Sequence, residues 1–202
     1  MKINYDARML EIIRGLPEGE KPRLLLHSCC GPCSSSVLEK LWDFFDVTLF
    51  YYNPNIAPYE EYVKRAREQE RLLAELPVRV PMILGEWDSG DYYSAVKGLE
   101  DEPEGGARCV KCFRLRLEAT ARAAAEGRFD FFTTTLTVSP HKNADNVNRE
   151  GENAGEIYHV RYLPSDFKKR DGYLRSLEIS REHGLYRQNY CGCVYSMRPE
   201  EE

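Results

Sequence analysis

Apolar positions along the chain follow two alternating periods. Short apolar runs, Arg23 to His27, Val47 to Tyr52, Val78 to Leu84 and Phe129 to Thr135, read as buried strands. Amphipathic stretches at Tyr5 to Leu16, Ser34 to Phe45, Tyr59 to Leu76, Asp91 to Lys97 and Cys109 to Ala125 predict helices, the last stopping at Gly127. The pattern from Tyr59 is the clearest. Tyr59, Tyr62, Val63, Ala66 and Leu73 form one stripe, and Glu60/Lys64 and Glu61/Arg65 stand at i,i+4. Ser139 to Gly155 is polar and reads as irregular. Ile157 to Val160 predicts a last short strand, and Gly172 to His183 a last helix. Alternation of this kind predicts an α/β fold, a Rossmann-like parallel sheet flanked by helices. With 202 residues and no repeat or linker, one domain over 1–202 is expected.

Composition excludes little but orders the options. No run approaches the roughly 20 apolar residues of a membrane span, and the N-terminus mixes acids with bases and lacks an apolar core, unlike an export signal. The expected compartment is the cytoplasm, where clustered cysteines more often bind metal or do redox chemistry than staple a fold. A net charge of −5 gives no global case for nucleic-acid binding. The segment of about 161–195 differs. Between Arg161 and Tyr190, Lys and Arg outnumber acids seven to four, interleaved with Tyr162, Phe167, Tyr173, Tyr186 and Tyr190. Such a face suits phosphates and unpaired bases, or equally a solvated helix surface.

Seven cysteines fall in three groups: Cys29-Cys30-Gly-Pro-Cys33, Cys109-x-x-Cys112 and Cys191-Gly-Cys193. In a parallel sheet, ligands bind beyond the carboxyl ends of strands. The first group stands there, after His27, with one glycine followed by proline, so a phosphate-binding loop is disfavoured. Cys109 and Cys112 share one face of a helix start, whose partial positive charge favours thiolate. Two Cys-x-x-Cys pairs fit structural zinc or an iron–sulfur cluster. Zinc leaves Cys29 as an extra thiol and gives Cys191 and Cys193 no redox partner. A bridge across Gly192 closes too short a loop to staple a fold and would be readily reduced.

Further motifs run through the chain: His27-Ser-Cys-Cys-Gly-Pro-Cys33, Tyr52-Asn-Pro-Asn-Ile56 with Glu61, Tyr62 and Arg65, and Cys109-x-x-Cys112 with the Arg-Leu that follows. Then come Thr133-Thr-Thr-Leu136, Ser139-Pro-His-Lys142, Asp166-Phe-Lys-Lys-Arg-Asp-Gly-Tyr173 and Tyr186-Arg-Gln-Asn-Tyr-Cys-Gly-Cys193. In this order they resemble the QueH-type epoxyqueuosine reductases, which complete synthesis of the tRNA nucleoside queuosine. The resemblance covers Leu24 to Met197.

That resemblance implies a fold similar to the adenine-nucleotide α-hydrolase-like (HUP) fold without its phosphate-binding loop. It implies a [4Fe-4S] cluster on Cys29, Cys30, Cys109 and Cys112, and a redox-active disulfide between Cys191 and Cys193. An adjacent mononuclear iron is also implied, with Cys33 as its ligand or as an alternative cluster ligand. Ala57 departs from a histidine expected after Asn53-Pro-Asn-Ile56. The implied reaction reduces the epoxide of epoxyqueuosine to the alkene of queuosine at the tRNA wobble position, consuming two electrons and two protons and releasing water. His141, Lys142 and Asp145 are candidate proton donors. Lys168, Lys169, Arg170 and Arg175 are candidates to hold tRNA phosphates. An external electron donor is required. The rival readings are a thiol–disulfide oxidoreductase on structural zinc and an RNA-binding module on a zinc scaffold.

Overall fold

The structure, a computed structural model, describes residues 3–197. In chain order the elements are α1 (Tyr5–Arg14), β1 (Arg23–His27), α2 (Gly31–Leu41), β2 (Asp46–Tyr51), α3 (Tyr59–Glu75), β3 (Met82–Leu84) and α4 (Ser89–Val96). They continue with α5 (Ala107–Glu126), β4 (Phe131–Thr134), a 3₁₀ turn (Thr135–Val138), α6 (Ala144–Tyr158), β5 (Arg161–Tyr162), α7 (Gly172–Glu182) and a second 3₁₀ turn (Val194–Ser196). The sheet is wholly parallel with order β3-β2-β1-β4-β5.

β1 is the central strand, which explains its unbroken apolar run. A strand covered on both faces has no polar face to show. Leu24 and Leu26 point into one core with Met9, Val37, Leu38 and Phe131. Leu25 points into the other with Phe113, Leu117, Ala121 and Phe132. Each buried leucine contributes about 1.5–3 kcal/mol. α5 packs against α6, and α2 against α7.

Several boundaries differ from the sequence expectation, and one difference is of type. The polar stretch from Ser139 to Gly155 contains α6. Its Asn143 cap accepts from the N–H groups of Asp145 and Asn146, at 2.8 and 3.2 Å. The last strand is Arg161–Tyr162, because Ile157 and Tyr158 finish α6. β3 is confined to Met82–Leu84, since Val78 to Pro81 approach the sheet without pairing until Pro81 accepts from Leu49. α2 starts at Gly31, with proline in its first turn where a missing N–H is harmless. The buried stripe of α3 is also not the expected one. Tyr59 is exposed, while Tyr62, Arg65, Ala66, Gln69 and Leu72 face inward.

Strand order reverses between β1 and β4. Crevices beyond the carboxyl ends of the strands at such a point are where open α/β sheets bind ligands. The loops leaving β1 and β4 carry residues 28–30 and 135–143, and both lead into the site.

Candidate active site

The loop after β1 is held rigidly. Ser28 and Ser34 donate to Gln69 Oε1 at 2.7 and 2.9 Å, and Asn53 Nδ2 donates to Ser28 O at 2.9 Å. His27 is fully buried, with Nδ1 2.8 Å from Thr134 Oγ1 and Nε2 3.1 Å from Tyr52 O. A carbonyl only accepts, so Nε2 carries the proton and Nδ1 accepts from the threonine. Burial, and then Arg116, lower its pKa to about 3. His27 is therefore a neutral strut joining β1, β2 and β4 at the mouth of the crevice.

Cys29, Cys30 and Cys33 converge there, with sulfurs within 4.8 Å of one another. Cys29 Sγ lies 3.8 Å from Cys30 Sγ and 3.6 Å from Thr135 Oγ1. Hydrogen bonds from Cys30 and Cys33 hold the Cys29 thiol well below its usual range. The same pairings push Cys30 up to about 12 and Cys33 well up.

The other four thiols form a second group. Cys109, Cys112, Cys191 and Cys193 line one small inner cavity. Gly105 N–H donates to Cys109 Sγ at 3.2 Å. Burial raises the Cys109 pKa against the Gly105 N–H bond, and pushes Cys112 up to about 12 against Arg116. Cys193 is buried against Tyr92 and Cys112, and its thiol donates to Ser196 Oγ at 3.4 Å. All seven thiols are unbridged in this structure.

Between the two groups stand two cations. Arg116, one turn after Cys112 on α5, is 1% exposed. Its Nη1 donates to Asn53 Oδ1 at 3.3 Å and its Nε to Cys112 O at 3.4 Å, while Nη2 has no partner. Burial opposes its charge, while the surrounding sulfurs of Cys112, Cys191, Cys29 and Cys109 favour it. Lys142 lies in the loop after β4. Burial opposes the charge of its ammonium, and the neighbouring sulfurs, Cys191 first and then Cys29, favour it more strongly. Arg116, Lys142 and Cys191 line both the inner cavity and an outer one of about 200 Å³ that contains Cys29 and Cys33.

The remaining sequence candidates separate. His141 is exposed on the rim of both cavities. Asp145, in the first turn of α6, lines a neighbouring cleft of about 740 Å³ instead, together with Lys168, Lys169 and Arg170. Lys168 pairs with Asp166, and Arg170 Nε sits 2.8 Å from Asp6 Oδ2. Arg175 departs from the group. It grips both oxygens of Glu39 at 2.9 Å and also pairs with Glu178 and Glu182.

Sequence reasoning missed Arg116, Tyr92, Glu104 and the role of Arg65. Arg116 had a readable signal, since i+4 from Cys112 places it on the thiol face of α5. Arg65 binds the dithiol loop through Cys191 O at 3.1 Å, and Ala57 N–H donates to Gly192 O at 3.0 Å. Ala57 therefore contributes backbone, where a histidine side chain was expected.

A parallel sheet of order 3-2-1-4-5, with thiols at its switch point and no phosphate-cradling glycines, defines a Rossmann-like α/β protein whose ligand crevice is lined by cysteines. Comparison with known proteins narrows that class. The model of the family described as epoxyqueuosine reductase QueH matches residues 24–199. An epoxyqueuosine reductase QueH from Staphylococcus epidermidis is 44% identical over 202 residues, covering 96% of this chain and 85% of that protein. The Thermotoga maritima protein of the same name is 36% identical over 182 residues, covering 89% and 92%. The chain belongs to the epoxyqueuosine reductase QueH family. Among solved structures, the U34-tRNA thiolase NcsA from Methanococcus maripaludis with its [4Fe-4S] cluster aligns with a TM-score of 0.55 at 13% identity. That alignment covers 95% of this chain and 68% of the thiolase and bears on the fold. Among the described residues no helix is long and apolar enough to cross a membrane.

Proposed function

We propose that this chain reduces the epoxide of epoxyqueuosine to the alkene of queuosine at the wobble position of tRNA, in the cytoplasm, as the last step of queuosine synthesis. The observation that carries the reading is the convergence of six of the seven thiols on two cavities shared by Arg116 and Lys142 at the sheet's switch point, in a chain of this family.

The residues fit an iron–sulfur cluster. Arg116 is a buried cation with an orphaned Nη2 and no carboxylate partner among the described residues. Such a charge is strongly unfavourable unless an anion meets it, and a thiolate-bound cluster is an anion. Cys29, Cys30, Cys109 and Cys112 would hold it. When bound, the cluster would supply electron transfer, and an adjacent iron Lewis acidity toward the epoxide oxygen. Cys33, whose sulfur lies within 4.8 Å of those of Cys29 and Cys30, would then be a ligand of an adjacent mononuclear iron or an alternative ligand of the cluster.

The chain's own groups complete the balance. Cys191 and Cys193 give up two electrons and two protons on closing to a disulfide, which equals what epoxide reduction to alkene and water consumes. Cys191 faces both cavities and Cys193 only the inner one, so Cys191 is the sulfur on the substrate side. Lys142, held charged beside the thiols, is positioned to give a proton to the departing oxygen, with His141 on the rim to replace it. Asp145 is the weakest of the three as a donor, because it lines only the neighbouring cleft, whereas His141 and Lys142 also line the thiol cavities. Lys168, Lys169 and Arg170 line that cleft and suit the phosphates of an anticodon loop. An external reductant must reopen the disulfide.

The test is anaerobic incubation of reconstituted protein and a chemical reductant with RNA bearing epoxyqueuosine, followed by nucleoside mass spectrometry. Loss of one oxygen mass is expected. An unchanged nucleoside with an intact cluster refutes the function. A colourless protein holding zinc supports the thiol–disulfide reading instead.

A further inference from the structure

The loop that precedes α5 brings one acid to the site. Glu104 lies on the rim shared by the inner and outer cavities. Basic side chains stand around it. Arg116 and Lys142 line both cavities, Arg108 the inner one and Arg187 the outer one. Among the described residues, Glu104 is the one carboxylate lining either cavity. It is exposed and takes part in no ion pair there. Its backbone is anchored, because Gly105 N–H donates to Cys109 Sγ at 3.2 Å and Gly106 N–H donates to Pro103 O at 3.0 Å, closing the turn around it. An unpaired carboxylate fixed at a cationic rim suits one kind of ligand, a cation brought in by the substrate.

Epoxyqueuosine has that group. A secondary amine, protonated at neutral pH, links its deazaguanine base to its epoxycyclopentanediol. With the epoxide among the thiols and the base outside with the rest of the RNA, this ammonium falls at the rim. Arg116 and Lys142 would repel it there without a nearby anion. We infer that Glu104 accepts a charge-assisted hydrogen bond from the substrate's secondary ammonium and so selects for the charged linker. The inference rests on the reductase reading above. Glu104 touches no reacting bond and acts on binding and selection.

The experiment is steady-state kinetics under anaerobic conditions with reconstituted wild type, Glu104→Gln and Glu104→Asp. Two substrates are compared, an epoxyqueuosine stem-loop and the same stem-loop with the linker amine acetylated. Glu104→Gln is expected to raise KM for the amine substrate about tenfold, the scale of one charged hydrogen bond at a rim. Its kcat should fall far less and its cluster absorption should be unchanged, while Glu104→Asp recovers part of the loss. Wild type should prefer the amine over the acetylated substrate, and Glu104→Gln should lose most of that preference. Acetyl bulk acts on both enzymes alike, so the ratio isolates the charge. Equal KM values, or an undiminished preference with turnover intact, overturn this inference alone. A wild type that turns over neither substrate with its cluster in place overturns the reductase reading and this inference with it.

Discussion

Arg65 Nη1 donates to the carbonyl oxygen of Cys191 at 3.1 Å, tying the middle of α3 to the loop that carries the dithiol. Arg65 is buried, and its Nε pairs with Glu61 Oε1 at 2.6 Å. Glu61 also accepts from Tyr186 Oη at 3.1 Å, and the guanidinium lies over the Tyr190 ring. Removing one partner of a buried pair costs more than the pair contributes, because the other charge stays behind. Arg65→Met should lower stability by about 3 kcal/mol, read by urea denaturation. The double variant with Glu61→Gln should recover part of it. Additive losses would mean that the two side chains act independently.

Gly192 separates the two thiols at φ +127°, and a Cβ there would lie 2.9 Å from Ile56 Cγ1 and 3.2 Å from Arg65 Nη1. Alanine meets both a forbidden backbone region and a wall. Gly192→Ala should therefore push the loop outward and expose Cys193. Its alkylation, followed by peptide mass spectrometry of the reduced protein, should speed up by about tenfold, the scale of a modest overpacking strain. Unchanged protection of Cys193 would mean that the loop is not clamped.

Arg116 gives a prediction of reversed sign. Without a bound anion its guanidinium is a buried charge lacking an ion pair, and a hydrophobic replacement is often stabilising by about 1–4 kcal/mol. Arg116→Met should raise the stability of the metal-free protein by an amount near the lower end of that range, about 1 kcal/mol. The loaded protein should behave oppositely, losing its cluster absorption to a chelator faster than wild type. A variant destabilised in both states would make Arg116 a structural strut.

How much the sequence revealed depended on how local the determining contact was. β1 was legible because three adjacent leucines, Leu24, Leu25 and Leu26, are all buried between two layers. The three thiol groups were legible as groups. Their division into three and four, with Arg116 and Lys142 between, was not, because it depends on how α5 and the loop after β4 meet beside β1. The buried face of α3 was misjudged because hydrophobicity cannot announce that Arg65 and Gln69 point inward to bind loops. α6 was missed because Gly151 and Gly155 depress its helical signal. Those glycines are where it must approach β5.

That last point is testable. A Cβ on Gly151 would fall 2.3 Å from Tyr162 Cζ, and the Tyr162 ring rests on Phe132 at 5.2 Å between centroids. In a free helix Gly→Ala gains about 1 kcal/mol. Here overpacking costs about 1–3 kcal/mol, so Gly151→Ala should destabilise the protein despite its better propensity. Thermal melting decides it, and a raised midpoint would show that α6 can move away from the sheet.

The basic residues of the C-terminal segment should divide by pairing, not by charge. Lys169 is exposed on the large cleft, and among the described residues it takes part in no ion pair. Arg175 is neutralised by Glu39, Glu178 and Glu182. To reach a phosphate, Arg175 would have to break a bidentate pair and leave three carboxylates facing the RNA. Each phosphate contact to single-stranded nucleic acid contributes about 0.7 to the slope of log affinity against log salt. Lys169→Ala should therefore reduce that slope by about 0.7, and Arg175→Ala should leave it unchanged. Binding of an anticodon stem-loop, titrated across a range of salt concentrations, measures both. An equal reduction for Arg175→Ala would place RNA on the α7 face, with the acids displaced.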